Sequence, residues 1–158
     1  ETMIEVIQVL REKKIPTLGI CLGMQLMVIE FCRNCLKMTN AGSSEFENYS
    51  PNVITKMKQW ESLNYGGTMR LGSIDIQLTE NSKINEIYKT TIISERHRHR
   101  YDVNNIFSLE LERNGFHITG RCLEHNLVEV LELDKKEHPW YIGVQYHPEF
   151  PHRLPQDQ

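Results

Sequence analysis

The first third of the chain alternates between helical and extended hydrophobic patterns. Apolar residues recur at helical intervals over residues 3–13, which predicts a helix that Pro16 ends. Residues 17–20 form a short run of β-branched and apolar residues, the composition of a buried strand. Helical spacing returns over residues 24–34. The order helix, strand, turn, helix predicts an α/β domain with a mostly parallel central sheet.

The later part of the chain is mainly extended. Residues 69–78 alternate between apolar and polar, and Gly115 is placed to end a helix predicted over residues 105–114. Consecutive strands after this helix predict an antiparallel addition beside the parallel core. The strand candidates are residues 116–119, 127–133 and 141–146. Without a Pro- or Gly-rich linker, we expect one domain over residues 1–150 and a tail over 151–158.

Composition narrows the class of protein. The net charge of −3 makes a general nucleic-acid binder improbable, since such domains carry a basic excess. No apolar run reaches the length of a membrane span, and the N-terminal segment lacks the basic start of a signal peptide. The 4 cysteines then fit free thiols in a reducing cytoplasm better than a disulfide framework.

One cysteine lies in a motif that suits nucleophilic chemistry. Cys21 stands in Gly19-x-Cys21-x-Gly23, between the predicted strand and the next helix. This is the cysteine form of a nucleophile elbow, in which flanking glycines permit a tight turn. The positive end of the following helix favours the thiolate, and the backbone N–H of Leu22 is free to stabilise an oxyanion. A chance pentapeptide around a buried cysteine is the alternative interpretation, which the strand-and-helix context disfavours.

A base for this nucleophile is found near the end of the chain. His147 follows the strand candidate 141–146, where a side chain at a strand end projects into the crevice of an α/β sheet. Glu149 lies two residues on, close enough to hydrogen-bond the imidazole and fix its tautomer. An exposed turn histidine is the commoner fate of an isolated His. The presence of the elbow favours the catalytic interpretation.

Two further clusters favour simpler interpretations. Cys32-x-x-Cys35 has the spacing of a metal or redox pair, but no second cysteine pair exists to complete a zinc site, so packing is expected. The arginines and histidines of residues 96–100 alternate, so in an extended segment they occupy opposite faces. We expect the remaining histidines to be surface or packing residues, and Gly66-Gly67 lacks the lysine of a phosphate-binding loop.

Several segments together resemble the glutaminase domain of the CTP synthase family, a triad glutamine amidotransferase. They occur in family order across nearly the whole chain: GICLGMQ at 19–25, SEF at 44–46, GGTMRLG at 66–72, ERHRHRY at 95–101 and HPEF at 147–150. The resemblance implies the flavodoxin-like three-layer α/β sandwich of class I glutamine amidotransferases. It also implies a Cys21, His147 and Glu149 triad that hydrolyses glutamine to glutamate and ammonia.

The same resemblance implies binding roles. Leu22 supplies an oxyanion N–H, and Gly23, Met24 and Gln25 lie on the glutamine-binding stretch. Glu45 holds the α-ammonium of glutamine. Arg100 lines the pocket, where an arginine pairs with a carboxylate.

The resemblance implies no cofactor or metal in this domain. Its ammonia passes to a synthetase domain that aminates UTP to CTP with ATP and Mg²⁺, in a homotetramer activated by GTP. The family also carries a Gly-rich oxyanion loop before residue 3 and a closing helix after Phe150, so we expect a truncated glutaminase domain.

Two rival functions stay open. A truncated paralogue that has become catalytically silent would act as a binding or regulatory module, and ammonia release would distinguish it. A stand-alone γ-glutamyl hydrolase is the second rival, since it also uses a cysteine nucleophile and a histidine base. The GGTMRLG and ERHRHRY segments disfavour this second rival because they match the synthetase-linked family.

Overall fold

The structure is a computed structural model that describes residues 1–56 and 69–150. The segment Gly66-Gly67 and the predicted tail 151–158 lie outside the described residues. The described elements, with one 3₁₀ turn at Asn105–Phe107, are α1 (Thr2–Glu12), β1 (Thr17–Ile20), α2 (Leu22–Asn34), β2 (Gly42–Ser43), β3 (Asn52–Lys56), β4 (Arg70–Leu78), α3 (Lys83–Tyr88), β5 (Ile92–His99), β6 (Tyr101–Val103), α4 (Ser108–Arg113), β7 (Phe116–Cys122), β8 (Val128–Leu133) and β9 (Tyr141–Val144).

The predicted elements are present with shifted ends. Helix α2 begins at Leu22, two residues before its predicted start, so it follows Cys21 directly. The helix expected over residues 105–114 divides into the 3₁₀ turn and α4, and Gly115 follows with a φ of 87°. Strands β2, β3 and β6 form a second, three-stranded sheet that hydrophobic alternation did not predict.

The larger sheet has six strands in the order β1-β9-β8-β7-β4-β5. Within it β1 and β9 are parallel, and the other neighbours are antiparallel. The expectation of a mostly parallel sheet was wrong for the described strands, which form a mixed sheet. The physical reason is that parallel neighbours need a long crossover, whereas β7 and β8 are joined by a short turn.

Helix α2 is the central packing element. It contacts β1 and β9 of the larger sheet, β3 and β6 of the smaller sheet, and α1. Its side chains are therefore buried on several faces, including the carboxylate of Glu30, which is fully buried. Arg11 of α1 neutralises this charge with two 2.8 Å hydrogen bonds to the two oxygens of Glu30. A bidentate pair of this kind fixes the orientation of α1 on α2.

Strands β8 and β9 are buried at every position, since other elements cover both of their faces. Because β8 and β9 lie inside the sheet, they hold the carboxyl ends of β1 and β9 rigidly in place. No helix in the part of the chain that the structure describes is long and apolar enough to cross a membrane.

Candidate active site

Cys21 occupies a strained turn between β1 and α2. Its backbone adopts φ 52° and ψ −105°, a conformation that non-glycine residues rarely take. Two hydrogen bonds hold this turn: Cys21 N–H donates to the Val144 carbonyl at 2.8 Å, and Gln25 N–H donates to the Cys21 carbonyl at 3.2 Å. The surrounding structure therefore imposes the geometry that the Gly-x-Cys-x-Gly motif predicts.

The two glycines of the motif serve different purposes. A Cβ on Gly19 would lie 2.2 Å from the Met27 sulfur and 2.9 Å from backbone atoms of Gly23 and Met24. Only glycine therefore lets α2 pass this close to β1. A Cβ on Gly23 would meet nothing within 4 Å, so the space beside the turn is open.

Burial raises the pKa of the Cys21 thiol, because the charged form loses solvation. The backbone N–H of Leu22 and the Gln145 side chain act in the opposite direction, while the charges of Glu149 and Asp102 raise it further. The expectation that the helix N-terminus favours the thiolate has the right sign for Leu22. In the folded chain burial outweighs this contribution.

His147 and Glu149 form the pair that their spacing predicts. His147 Nδ1 lies 2.7 Å from Glu149 Oε1, and the His147 backbone N–H donates to the Arg96 carbonyl on β5 at 2.9 Å. Burial by itself raises the pKa of Glu149, but the hydrogen bond from His147 holds it below its ordinary value. The carboxylate is thus ionised, and it orients the ring with Nε2 available for other partners.

The parallel pairing of β1 and β9 brings these groups to one edge of the sheet. Ile20 pairs with Val144 at the last position of both strands. Cys21 follows β1 directly, and His147 comes three residues after the end of β9. The thiol and the imidazole therefore both emerge beyond the carboxyl ends of these two strands, where α/β sheets place their sites.

The remaining candidates of the glutamine-binding stretch are divided between core and surface. Met24 is fully buried, whereas Leu22 is 60% exposed. Gln25 is buried; its Nε2 donates to the Tyr101 carbonyl at 2.7 Å and to Gln145 Oε1 at 3.2 Å.

Glu45 and Arg100 are both exposed. Glu45 lies in the turn after β2, where its N–H donates to Ser43 Oγ at 3.2 Å. Arg100 lies between β5 and β6 and precedes Tyr101, whose carbonyl binds Gln25. Arg100 is thus adjacent in sequence to a residue that contacts Gln25, and Glu45 lies in an exposed turn.

The alternation predicted for residues 96–100 is confirmed. The arginines are exposed, and His97 and His99 are buried on the opposite face of β5. Their purpose went unrecognised in the sequence, because their partners come from distant strands. His97 Nε2 lies 2.7 Å from Glu129 Oε2, and His99 Nε2 lies 2.9 Å from Asp102 Oδ1.

Arg70 joins these two pairs into one buried ionic network. Its guanidinium donates to Asp102 Oδ1 at 2.8 Å and to Glu129 Oε1 at 2.6 Å. His97 Nδ1 lies 2.9 Å from the Glu95 carbonyl, so both of its ring nitrogens face oxygen atoms. Arg70 is thus the buried cation that the two buried carboxylates share.

Cys32 is fully buried within the core cluster and Cys35 packs against it, in agreement with the packing interpretation. Across residues 1–56 and 69–150 no group of three or more His, Cys, Asp and Glu side chains is arranged to hold a metal ion. Gln145 is the polar side chain that sequence reasoning missed beside the thiol. Its Nε2 lies 3.6 Å from Cys21 Sγ, although it is fully buried in an otherwise apolar strand end.

Comparisons with known proteins identify the family of this chain. The family model for glutamine amidotransferase class-I matches residues 1–158. The chain is 48% identical to the CTP synthase of Pelagibacter ubique over 95% of this chain and 29% of that protein. It is 51% identical to the CTP synthase of a Hydrogenobaculum species over 89% of this chain and 26% of that protein. The chain therefore spans less than a third of the length of these relatives.

Solved structures support the same assignment. The glutaminase domain of Trypanosoma brucei CTPS with bound acivicin is 34% identical, with a TM-score of 0.84 over 94% of this chain and 58% of that chain. A glutamine amidotransferase from Thermotoga maritima is 16% identical with a TM-score of 0.57 over 92% of this chain and 46% of that chain, which shows a shared fold. The predicted flavodoxin-like α/β sandwich is confirmed, with a mixed sheet. This chain belongs to the class I glutamine amidotransferase family.

Proposed function

We propose that this chain is the glutaminase portion of a CTP synthase and hydrolyses glutamine through a triad of Cys21, His147 and Glu149. One observation carries the proposal. A cysteine with φ 52° is held at the end of β1, on the same sheet edge as a histidine whose Nδ1 lies 2.7 Å from a carboxylate. A strained nucleophile and an oriented base are what covalent amide hydrolysis needs.

The chemistry has two covalent steps. His147 takes the thiol proton of Cys21, and the sulfur adds to the side-chain amide carbon of glutamine. The C–N bond then breaks as the imidazolium gives its proton to the departing nitrogen, which leaves as ammonia. Water, deprotonated by His147, adds to the thioester; the C–S bond breaks, the electron pair returns to sulfur, and the imidazolium gives its proton back to the sulfur. Glu149 keeps the ring in the required tautomer throughout.

The raised pKa of Cys21 gives His147 a defined task. Burial holds the resting sulfur as a thiol, so the nucleophile must be made by proton transfer when substrate is present. The N–H of Leu22 then serves the developing oxyanion at the start of α2. This arrangement protects a partly exposed cysteine from unwanted alkylation and oxidation between turnovers.

The glutamine contacts follow from the open space at Gly23. We place the substrate beside this glycine, along the backbone of Leu22, with Gln25 at its inner end. Both hydrogens of Gln25 Nε2 are already used, so this side chain offers a ligand its acceptor oxygen. Arg100 pairs with the α-carboxylate, and Glu45 with the α-ammonium.

The wider assignment rests on the CTP synthase relatives. Residues 1–150 form the glutaminase domain, and its ammonia passes to a synthetase domain that aminates UTP with ATP and Mg²⁺. The assembly is a homotetramer with GTP as activator. ATP, Mg²⁺ and the nucleotides belong to the synthetase reaction, so no step in this chain passes through them. A cytoplasmic location agrees with four free cysteines.

The test is release of ammonia and glutamate from L-glutamine, measured with and without the synthetase domain of a CTP synthase. We expect equal amounts of both products, and no release by a Cys21→Ala variant. Cys35→Ser is the matched control, since Cys35 packs against the core cluster. A folded chain that binds glutamine or acivicin but releases no ammonia in either condition would instead support the silent regulatory module. Preferential cleavage of γ-glutamyl peptides would assign the chain to the γ-glutamyl hydrolases.

A further inference from the structure

Gln145 is buried between the nucleophile and the glutamine-binding stretch. It follows the last residue of β9, and its side chain is fully buried. Its Nε2 lies 3.6 Å from Cys21 Sγ, and its Oε1 accepts a 3.2 Å hydrogen bond from Gln25 Nε2. A buried primary amide needs partners for both ends, so each contact contributes to holding its position.

The hydrogen-bond chain determines which end of the amide faces sulfur. The Tyr101 carbonyl can only accept, so the Gln25 atom 2.7 Å away must be the NH₂ group. That NH₂ also meets Gln145, which must therefore present its oxygen. The NH₂ of Gln145 is left pointing at Cys21. One main-chain carbonyl on β6 thus fixes the polarity of a contact to the nucleophile.

The backbone of Gln145 is fixed equally well. Its N–H donates to the Glu129 carbonyl on β8 at 2.9 Å, and the Glu129 side chain is held by Arg70 and His97. The amide dipole therefore cannot turn away when the charge on sulfur changes. A preorganised donor of this kind stabilises charge without reorganisation cost.

We propose that Gln145 is a catalytic residue whose side-chain amide donates a hydrogen bond to the Cys21 sulfur and stabilises it as a thiolate. The inference rests on the proposed glutaminase function and adds a fourth group to the triad. Gln145 acts twice in each turnover. It stabilises the sulfur when His147 removes its proton, and again when the C–S bond of the thioester breaks and the electron pair returns to sulfur. Its effect on the Cys21 pKa opposes that of burial, as this role requires.

The test follows the pH dependence of Cys21 alkylation by iodoacetamide, measured on the Cys21 peptide by mass spectrometry. Below the thiol pKa this rate is proportional to the thiolate fraction. In Gln145→Met, which keeps the chain length but has no donor, we expect the midpoint to rise by about one pH unit and the rate at pH 7 to fall about tenfold. Gln145→Glu keeps the acceptor for Gln25 and places an anion at sulfur, so its rise should be larger.

Gln77→Met is the matched control. Gln77 lies on β4 and donates to the carbonyl of Leu78 on the same strand and to that of Thr91 just before β5. Its loss should therefore leave the pH profile of Cys21 alkylation unchanged. A purely structural role for Gln145 would lower the melting temperature without moving the alkylation midpoint. That result would overturn the inference.

A second measurement covers variants that fold poorly. The side-chain amide resonance of Gln145 in the unaltered chain should shift as Cys21 titrates, and should stop titrating in Cys21→Ala. An amide resonance that does not respond overturns the inference without any change at Gln145. If a diazo-ketone analogue of glutamine labels Cys21 but the alkylation profile is indifferent to Gln145→Met, the inference fails and the glutaminase function stands. If the profile shifts in a chain that never reacts with the analogue, the Gln145 contact stands and the glutaminase function fails.

Discussion

Removing the Arg70 guanidinium should destabilise the fold and loosen the active site together. In Arg70→Met a side chain of similar length remains, while Asp102 and Glu129 lose their shared cation in a fully buried position. Breaking a buried pair by removing one partner costs roughly 3–5 kcal/mol. Each carboxylate keeps one histidine, at 2.9 Å from Asp102 and 2.7 Å from Glu129, so we expect the lower end, about 3 kcal/mol.

The network also positions the site through the main chain. Three residues of the site donate hydrogen bonds to main-chain carbonyls on three different strands. Gln145 donates to Glu129 on β8, Gln25 to Tyr101 on β6, and His147 to Arg96 on β5. Arg70 links two of those strands through Glu129 and Asp102. A folded Arg70→Met chain should therefore also show slower labelling of Cys21 by a glutamine analogue.

The assay is urea denaturation at pH 7 followed by circular dichroism. The midpoint should fall while the m-value stays constant, because a lower midpoint at constant m reports stability alone. The exposed Arg113 on α4 supplies the control, and Arg113→Met should change the free energy of unfolding by less than about 0.5 kcal/mol. A loss below about 1 kcal/mol for Arg70→Met would refute the claim that the network needs this cation.

Three further outcomes are expected. Gly19→Ala should cost roughly 1–3 kcal/mol of stability, measured by thermal melts, because its Cβ would meet the backbone of α2. Gly23→Ala should fold normally but lose at least about tenfold in glutamine turnover, measured by ammonia release, if substrate occupies the open space beside this glycine. The pKa of Asp102 is lowered in the folded chain. Burial raises this pKa, but the interactions with His99 and Arg70 lower it by more. Its contribution is therefore present above the unfolded-state pKa of about 3.9 and lost as pH falls through the lower folded value, and Asp102→Asn should flatten that part of the stability–pH curve. Glu149→Gln should keep the circular dichroism spectrum and lower kcat about 10²-fold, since a neutral acceptor stabilises the imidazolium less; an unchanged kcat would remove Glu149 from the mechanism.

Local patterns in the sequence predicted the elements that surround the nucleophile. The Gly19-x-Cys21-x-Gly23 motif marks the turn. Contacts with residues close in sequence already require a glycine at Gly19, where α2 passes β1. The pairing of His147 with Glu149 is equally local, since a single residue separates the partners, which meet at 2.7 Å. These features need no knowledge of the tertiary fold.

The buried polar contacts depend on tertiary structure and could not be predicted in the same way. Arg70 and Glu129 are far apart in sequence and meet at 2.6 Å only because β4, β5 and β8 come together in the folded domain. The net direction of the Cys21 pKa shift could not be predicted for the same reason, since helix polarity is visible in the sequence and burial is not. Alternation within residues 96–100 did predict that arginines and histidines lie on opposite faces, but which face is buried and the identity of the partners depended on sheet order.

The central claim is that Cys21 is the nucleophile of a working glutamine pocket. Intact mass after treatment with a diazo-ketone analogue of glutamine tests it most directly, with acivicin as a second reagent because a similar solved glutaminase domain binds it. We predict a single adduct on Cys21 that excess glutamine prevents and that Cys21→Ala abolishes, while Cys32, Cys35 and Cys122 remain unmodified. A demonstrably folded chain that gains no adduct, or gains one that glutamine does not prevent, would contradict the claim.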